Sequence, residues 1–215
     1  NEGISTRHNP EFTMLEFYQA YATYEDLMAL TEELFVTVAQ EIMGSLEPSL
    51  GGQIIDLKPP WRRLSLLQAI EEYGGASGGQ ISTLDGLRSY AREKGLRLDP
   101  GLPYGSLLVE VFEEVAESRL IQPTFVTDYP LEVSPLARKN DANPALVDRF
   151  ELYIAGRELA NAFSELNDPQ DQRSRFQRQA EARQGAEDPA SAVDEDFLRA
   201  LEYGMPPAAG EGIGI

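Results

Sequence analysis

Two glutamates near the middle of the chain are spaced so that they could hold a cation together. Glu151 and Glu158 flank Ala155-Gly156, a dipeptide suited to a two-residue turn between strands. In such a hairpin Glu151 lies near Ala160 and shares one face with Glu158 as a diagonal neighbour. Carboxylates that close repel each other unless a cation lies between them, and hard oxygen ligands favour Mg²⁺ bridged to substrate phosphates. Two solvated acids explain the same spacing, and the residues alone leave both interpretations open.

A second candidate set follows on the returning strand. Asn161, Phe163 and Glu165 recur at a spacing of two, so an amide, an aromatic ring and a carboxylate would share one face and could line a pocket for an amine. Strict alternation, however, places Glu158 on the opposite face from Glu165. Both serve one site only if a β-bulge intervenes or the pocket wraps around the strand. Phe163 by itself is equally typical of a core.

The same spacing of two appears near the start of the chain. Phe12, Met14, Glu16 and Tyr18 fall on one face of an extended segment. Phe12 is suited to stacking on a purine, although a strand aromatic is more often a core residue. His8 is the single histidine and is suited to contact a phosphate or act as a base, although a lone histidine is more often solvated or structural.

Several well-known catalytic motifs are absent from the sequence. It contains no glycine-rich loop followed by lysine and serine or threonine and no histidine cluster for zinc. Gly212 and Gly214 would let a ligand approach the backbone closely, and a plain turn explains them equally well. The candidate chemistry therefore rests on the carboxylates described above.

A sheet has to bring these separated residues together, and the hydrophobic periodicity predicts one. Helices are predicted for residues 24–43, ending at Gly44, and for 83–94, 104–118, 168–183 and 194–203. Strands are predicted for residues 12–18, 124–127, 148–154, 157–166 and from 210 onward. Residues 74–118 are interpreted as a helical insertion, and residues 184–192 as a linker. Because hairpins join the strands, we expect an α+β fold with an antiparallel sheet and flanking helices.

Composition narrows the classes of function. The chain has 215 residues and a net charge of −18, from 36 acidic and 18 basic side chains. A field of that sign repels phosphate backbones, so this stretch is unsuited to be the main nucleic-acid-binding surface. The same field favours the binding of cations. There is no cysteine, and no apolar run long enough to cross a bilayer. We therefore expect a cytoplasmic protein that does not bind membranes.

Read together, the segments resemble the class II aminoacyl-tRNA synthetases, and within them the lysyl enzymes. Residues 1–16 resemble the second class motif without its preceding arginine, and residues 204–215 resemble the third motif, cut before its usual Asp-Arg. Between them, four short matches occur in order: PTF at 123–125, YP at 129–130, SPLAR at 134–138 and FSELND at 163–168. The resemblance implies a partial catalytic core of that class over residues 1–215, truncated at both ends.

The resemblance also implies roles for the candidate residues. Mg²⁺ ions on the phosphates of ATP would be held by Glu151 and Glu158, and the adenine would stack on Phe12. Other contacts to ATP would come from Glu2, His8 and Asn9.

Lysine recognition is implied for a second group of residues. Tyr18 and Glu165 are our choice for the ε-ammonium group, and the rest of the pocket would be formed by Glu16, Asn161, Phe163 and Gly212. The sequence departs from the family pattern at Ala160 and Ala162, where some relatives are expected to have glycine, and at Glu211, which replaces an apolar residue. The two added methyl groups are expected to tighten the pocket.

The activity implied is that of a lysine–tRNA ligase. ATP activates lysine to lysyl-adenylate, and the lysyl group passes to tRNA(Lys), with a homodimer as the expected assembly. One alternative is the related ligase that attaches a lysine-type amino acid to an elongation factor, and another is an inert interaction fragment. The excerpt alone is expected to be inactive, because both motif arginines lie outside it.

Overall fold

The computed structural model describes residues 11–99, 101–182 and 193–215. Its strands are β1 (Met14–Ala20), β2 (Ser49–Leu50), β3 (Gln53–Ile54), β4 (Arg62–Ser65), β5 (Thr124–Thr127), β6 (Arg149–Ile154), β7 (Arg157–Ser164) and β8 (Ala208–Gly214). Its α-helices are α1 (Tyr24–Met43), α2 (Leu66–Ala69), α3 (Gly78–Ile81), α4 (Leu84–Glu93), α5 (Tyr104–Val115), α6 (Pro169–Ala182) and α7 (Glu195–Glu202). The predicted linker 184–192 lies outside the described residues.

Six of these strands form one sheet in the order β1-β8-β7-β6-β5-β4. Neighbouring strands are antiparallel except β4 and β5, which are parallel because the chain between them crosses through helices α2 to α5. Strands β2 and β3 form a separate hairpin. The predicted α+β fold, with a mainly antiparallel sheet and flanking helices, is confirmed.

The turn between β6 and β7 is built as the sequence predicts. Ala155 and Gly156 both have positive φ angles, 54° and 69°, which is the geometry of the hairpin turn that follows the twist of the strands. A Cβ atom at Gly156 would lie 2.8 Å from the carbonyl oxygen of Ser118, so this position requires glycine. The turn thereby fixes the hairpin that carries most of the candidate residues.

Helix α1 covers one side of the sheet, which we call the α1 face. It has the predicted bounds: the Thr23 N–H donates to Asp26 Oδ2 (2.7 Å) at its start, and Gly44 adopts a left-handed φ of 66° at its end. Its buried face includes Leu27 and Met28, which belong to a core with the inward side chains of the strands. From those strands the core includes Phe125, Phe150, Leu152, Ala160, Ala162, Ala209 and Ile213.

The opposite side of the sheet, which we call the pocket face, is covered by helices only over β4, β5 and β6 within the described residues. There α2, α4 and α5 pack in a second core that includes Val126, Tyr129 and Tyr153. The rings of Phe112 and Tyr153 meet edge to face with centroids 5.4 Å apart. Truncation of the buried Phe112 to alanine would cost about 3–5 kcal/mol, because it removes the whole buried side chain and leaves a cavity. The interpretation of residues 74–118 as an insertion stays a prediction.

Two further helices complete the described structure. Helices α6 and α7 are joined by a two-pronged ion pair in which Arg173 donates to Glu195 at 2.6 and 2.8 Å. None of the described helices combines the length and apolar character needed to cross a bilayer.

Candidate functional site

A cavity of about 1070 Å³ opens on the pocket face over β1, β8, β7 and β6, with α5 beside it. The three sets that the sequence predicted separately all line it. The lining residues include Phe12, Met14, Glu16, Tyr18, Glu151, Glu158, Asn161, Phe163, Glu165, Gly210, Glu211 and Gly212, with Glu113 and Glu117 from the α5 region. The structure therefore brings acidic and aromatic side chains from distant segments of the chain together around one cavity.

A β-bulge in β7 decides which face Glu158 occupies. Leu152 pairs with Ala160, whereas the next residue, Tyr153, pairs with Glu158, and Leu159 is left without a partner. The extra residue inverts the alternation at this point, so that Glu158 lies on the pocket face together with Asn161, whereas strict alternation would place the two on opposite faces. The bulge is the first of the two arrangements that the sequence left open.

The bulge also corrects the predicted register. Glu151 pairs with Asn161 and not with Ala160, because the bulge shifts β7 by one residue relative to a regular hairpin. As a result Glu158, Asn161 and Glu165 all lie on the pocket face and line the same cavity. The pocket does not need to wrap around the strand.

Three hydrogen bonds fix the Glu151 carboxylate, which is almost fully buried. The hydroxyl groups of Tyr129 and Tyr153 donate to Oε2 at 2.6 and 2.5 Å, and Arg149 donates to Oε1 at 2.5 Å. Burial, reinforced by the negative charge of Glu151, raises the pKa of both tyrosines well above its ordinary value. The tyrosines therefore remain protonated donors and Glu151 has a fixed position.

Negative charge is concentrated at this end of the cavity. Desolvation, and then the charge of Glu151, raise the pKa of Glu158. In the same way desolvation, followed by the charges of Glu117 and Glu151, raises the pKa of Glu113 on α5. A bound cation would relieve this repulsion.

The acidic end fits a magnesium ion that is shared with a substrate. Across residues 11–99, 101–182 and 193–215, no group of three or more histidine, cysteine, aspartate or glutamate side chains is arranged to hold a metal ion. Mg²⁺, however, is usually bound by one or two carboxylates together with water and substrate phosphates. The repulsion between Glu158 and Glu151, which Arg149 offsets only in part, is the observation that matches such an ion.

Glu165 lies at the other end of the cavity. Its backbone N–H donates to the carbonyl of Ala208 (2.8 Å), and the N–H of Arg138 donates to the neighbouring carbonyl of Ser164 (2.7 Å), so the chain is held from both sides. Burial raises the pKa of the Glu165 carboxyl to about 7. In the part of the chain that the structure describes, no lysine or arginine forms an ion pair with it. A cationic ligand would supply the missing charge.

Tyr18 and Glu165 converge above Gly210. A Cβ atom at Gly210 would lie 2.6 Å from the Tyr18 ring and would also collide with a carboxylate oxygen of Glu165. Burial, and then the charges of Glu165 and Glu16, raise the pKa of Tyr18. The bare backbone of Gly210 therefore makes room for a phenol and carboxylates around one point.

Exposed apolar side chains from β1 and the residues before it line the rest of this wall. Phe12 is 62% exposed, and Met14 lies where a Cβ atom at Gly212 would approach its methyl group to 2.8 Å. Large apolar groups left open beside a cavity are typical of a ligand-binding surface. Three predicted site residues, Glu2, His8 and Asn9, lie outside the described residues.

One expectation about the pocket is wrong for Ala162, whose methyl group belongs to the core that packs against α1. Ala160 belongs to the same core but also borders the cavity, so its effect on the pocket stays a prediction. Alternation from Asn161, which faces the cavity, places both alanines on the opposite side of the sheet.

The sequence reasoning missed two kinds of residue. Arg149 could have been found, because it lies two residues before Glu151 on the same strand face. Glu113 could not, since it comes from a helix that no local pattern places beside β6.

Comparison with known proteins gives a consistent picture. The family model described as class II tRNA synthetases (D, K and N) matches residues 1–215. The chain is 54% identical over 215 residues to a lysine–tRNA ligase of Moorella thermoacetica, and 51% identical over 215 residues to one of Bacillus subtilis. Each match covers 100% of this chain, but only 44% and 43% of the respective relative. The chain thus spans less than half the length of these relatives.

Proposed function

The chain belongs to the class II tRNA synthetases of the D, K and N family, and from that premise we propose that it forms the lysine- and ATP-binding part of a lysine–tRNA ligase. The observation that carries this proposal is Glu165, a half-buried carboxylate with a raised pKa and no cationic partner among the described residues. Burial of a charge is costly unless an opposite charge accompanies it. Lysine brings an ammonium group on a flexible four-carbon stem, which suits a carboxylate at the end of a cavity.

Lysine recognition is assigned to the end of the cavity around Gly210. The ε-ammonium group would pair with Glu165 and lie beside the Tyr18 hydroxyl. The remainder of the amino acid would be bordered by Glu16, Asn161, Phe163 and Gly212. A site that surrounds an ammonium group with carboxylates disfavours amino acids that lack one, because its buried acids would remain unpaired.

ATP would occupy the acidic end and the exposed aromatic wall. Phe12 is proposed to stack on the adenine, and Glu2, His8 and Asn9 are proposed contacts that rest on the family resemblance. Glu151 and Glu158 would hold Mg²⁺, which when bound neutralises phosphate charge. The three donors to Glu151 keep this carboxylate in one place before ATP arrives.

The reaction needs positioning and not a protein nucleophile. A carboxylate oxygen of lysine forms a bond to the α-phosphorus of ATP while the bond to the pyrophosphate oxygen breaks, giving lysyl-adenylate and pyrophosphate. The lysyl group then passes to the terminal ribose of tRNA(Lys). Holding both reactants in one cavity supplies much of the acceleration, since it removes the entropy cost of bringing them together.

Further properties are proposed for the parent protein, by which we mean a polypeptide of the relatives' length that contains this chain. With a net charge of −18, this region is poorly suited to grip tRNA, so most phosphate contacts would come from elsewhere in the parent protein. A homodimer and a cytoplasmic location are proposed as well. The chain alone is expected to be inactive.

Amino-acid-dependent ATP–pyrophosphate exchange by the parent protein tests the proposal. Lysine should support exchange. Norleucine, which has the same carbon chain without the ε-ammonium group, should be roughly 10⁴-fold less efficient. Equal exchange with both amino acids would show that the ε-ammonium group is not recognised.

A second stage of the experiment separates the runner-up activities. After activation with labelled lysine, transfer to tRNA(Lys) supports the proposal. Transfer to an elongation factor and not to tRNA would favour the related protein ligase, and no activation at all would favour an interaction module.

A further inference from the structure

Arg149 is not among the residues that line the cavity, but it contacts one residue from each of its two ends. Its Nη2 donates to Glu151 Oε1 (2.5 Å) and its Nε donates to Asn161 Oδ1 (3.0 Å). Glu151 belongs to the proposed cation-binding end and Asn161 to the proposed amino-acid pocket. Because the two residues are paired across β6 and β7, one guanidinium group spans both strands.

The guanidinium group is itself held by two further contacts. Its Nη1 donates to the hydroxyl of Ser134 (2.7 Å), and its central carbon lies 4.4 Å from the centre of the Tyr129 ring. Tyr129 in turn donates to the other oxygen of Glu151. Arg149 is therefore fixed by contacts in several directions, which its planar group with five donors can satisfy together.

The contact with Asn161 determines how that side chain presents itself. A guanidinium group can only donate hydrogen bonds, so the amide oxygen of Asn161 must face Arg149. The NH₂ group is consequently turned away from Arg149, on a residue that lines the cavity. Asn161 offers the cavity a donor, which suits a carboxylate or phosphate oxygen of a substrate and not an ammonium group.

The contact with Glu151 fixes the position of that carboxylate. Glu151 is nearly buried beside other acids, and Arg149 supplies an opposite charge in direct contact. Without Arg149 the two tyrosine hydroxyls would still bond to one oxygen, and the other oxygen would lose its partner.

From these contacts we propose that Arg149 is a positioning residue that couples the two ends of the site, holding Glu151 ready for a cation and Asn161 with its donor toward the amino acid. The inference rests on the proposed function, because it assumes that the two ends bind Mg·ATP and lysine. It predicts that a single change at Arg149 weakens both interactions, although Arg149 does not line the cavity.

A purely structural role is the competing explanation, and the chain offers a matched control for it. Arg175 on α6 is also a buried arginine attached to the same loop, since it donates to the carbonyl of Ala137 at 2.6 Å and pairs with Asp171 at 2.8 Å. It contacts neither Glu151 nor Asn161. Arg175→Gln therefore loosens the loop that contacts Arg149 and leaves the two ends of the cavity untouched.

The experiment compares Arg149→Gln, Arg149→Lys and Arg175→Gln in the parent protein. Mg²⁺ affinity is measured by calorimetric titration without ATP, lysine KM by pyrophosphate exchange, and thermal stability by melting. Arg149→Gln should weaken Mg²⁺ binding by about 10–100-fold and raise the lysine KM roughly tenfold. Arg149→Lys keeps the charge but loses the planar guanidinium group that contacts both residues. Mg²⁺ binding should therefore largely recover while the lysine KM stays raised.

The outcomes separate cleanly. Loss of both functions in Arg149→Gln, with the partial recovery in Arg149→Lys and neither loss in Arg175→Gln, supports the inference. It is overturned if Arg149→Gln only lowers the melting temperature as Arg175→Gln does, or if Arg149→Lys restores both functions. If Arg149→Gln does not fold, Arg149→Lys alone decides through its raised lysine KM. Failure of the proposed function would show separately, as wild-type protein without lysine-dependent exchange, and Mg²⁺ titration would then still test the Arg149–Glu151 half.

Discussion

The two faces of the sheet each hold a glutamate whose pKa is raised to about 7, and the two carboxylates meet different surroundings. Glu211 on β8 points to the α1 face, where the Thr31 hydroxyl lies 2.8 and 2.9 Å from its oxygens. Glu165 lies on the pocket face, where burial raises its pKa without an opposing partner among the described residues. One carboxylate is enclosed by protein, and the other is open to a ligand.

The comparison shows that a raised pKa alone does not identify a binding residue. The pKa of Glu211 is raised because the core around α1 excludes water. The Thr31 hydroxyl opposes this shift only weakly, because its single hydrogen is also attracted by the carbonyl oxygen of Leu27 at 2.6 Å. Glu165 is shifted to the same value, but its carboxylate lies at the cavity beside Tyr18, whereas Glu211, which also borders the cavity, has its carboxylate turned to Thr31. Access and an unfilled partner position distinguish the candidate site from the core.

The sharpest test of the comparison is to neutralise each glutamate. Glu165→Gln should reduce kcat/KM for lysine by on the order of a hundredfold or more, because a buried ammonium would lose its charged partner. Glu211→Gln is the matched control and should leave kcat/KM within a few-fold of wild type. Pyrophosphate exchange by the parent protein measures both, and equal losses in the two variants would contradict the distinction between the faces.

The next effect concerns stability on the α1 face. The pKa of Glu211 is about 7 in the folded state and near 4.5 unfolded, so the folded state binds this proton more tightly. Its contribution to the free energy of unfolding is complete below pH 4.5 and is lost as pH rises through 7, in total about 3 kcal/mol.

Glu211→Gln should remove that dependence. The stability of the variant relative to wild type should therefore increase by about 3 kcal/mol between pH 4.5 and pH values above 7. Urea-dependent hydrogen exchange of the β8 amides, corrected for intrinsic rates, reports the difference. A pH-independent difference would show that Glu211 has an ordinary pKa.

A third effect sharpens the comparison on the pocket face. Lysine binding requires Glu165 to be ionised, so kcat/KM for lysine should rise about tenfold per pH unit below pH 7 and level off above it. The pH profile should persist in Glu211→Gln and disappear in Glu165→Gln. If the pH profile instead disappears in Glu211→Gln, the titrating group is Glu211 on the α1 face, which contradicts the prediction.

The smallest effect is expected from Thr31 on α1. Thr31→Val removes the hydroxyl beside Glu211 and should destabilise the protein by about 1 kcal/mol near neutral pH, without changing the lysine KM. Thr31→Ser keeps the hydroxyl and serves as the control. A change in lysine KM in the valine variant would connect the α1 face to the site and weaken the contrast.

Much of this architecture is local and was predictable from the sequence. Helix α1 has its predicted bounds because its apolar periodicity, Thr23 and Gly44 all act within a few residues. The hairpin turn at 155–156 and the shared face of Asn161, Phe163 and Glu165 follow from spacing in the same way. The sequence thus determined which residue types recur together on a strand.

Only the tertiary structure decided how those sets combine. The bulge at Leu159 depends on how β7 pairs with β6, and no alternation within one strand reveals it. Likewise Glu113 reaches the cavity from α5, and Arg149 joins Glu151 to Asn161 across two strands. Such contacts arise from long-range packing of the sheet and helices, whereas sequence periodicity carries information only along a single element.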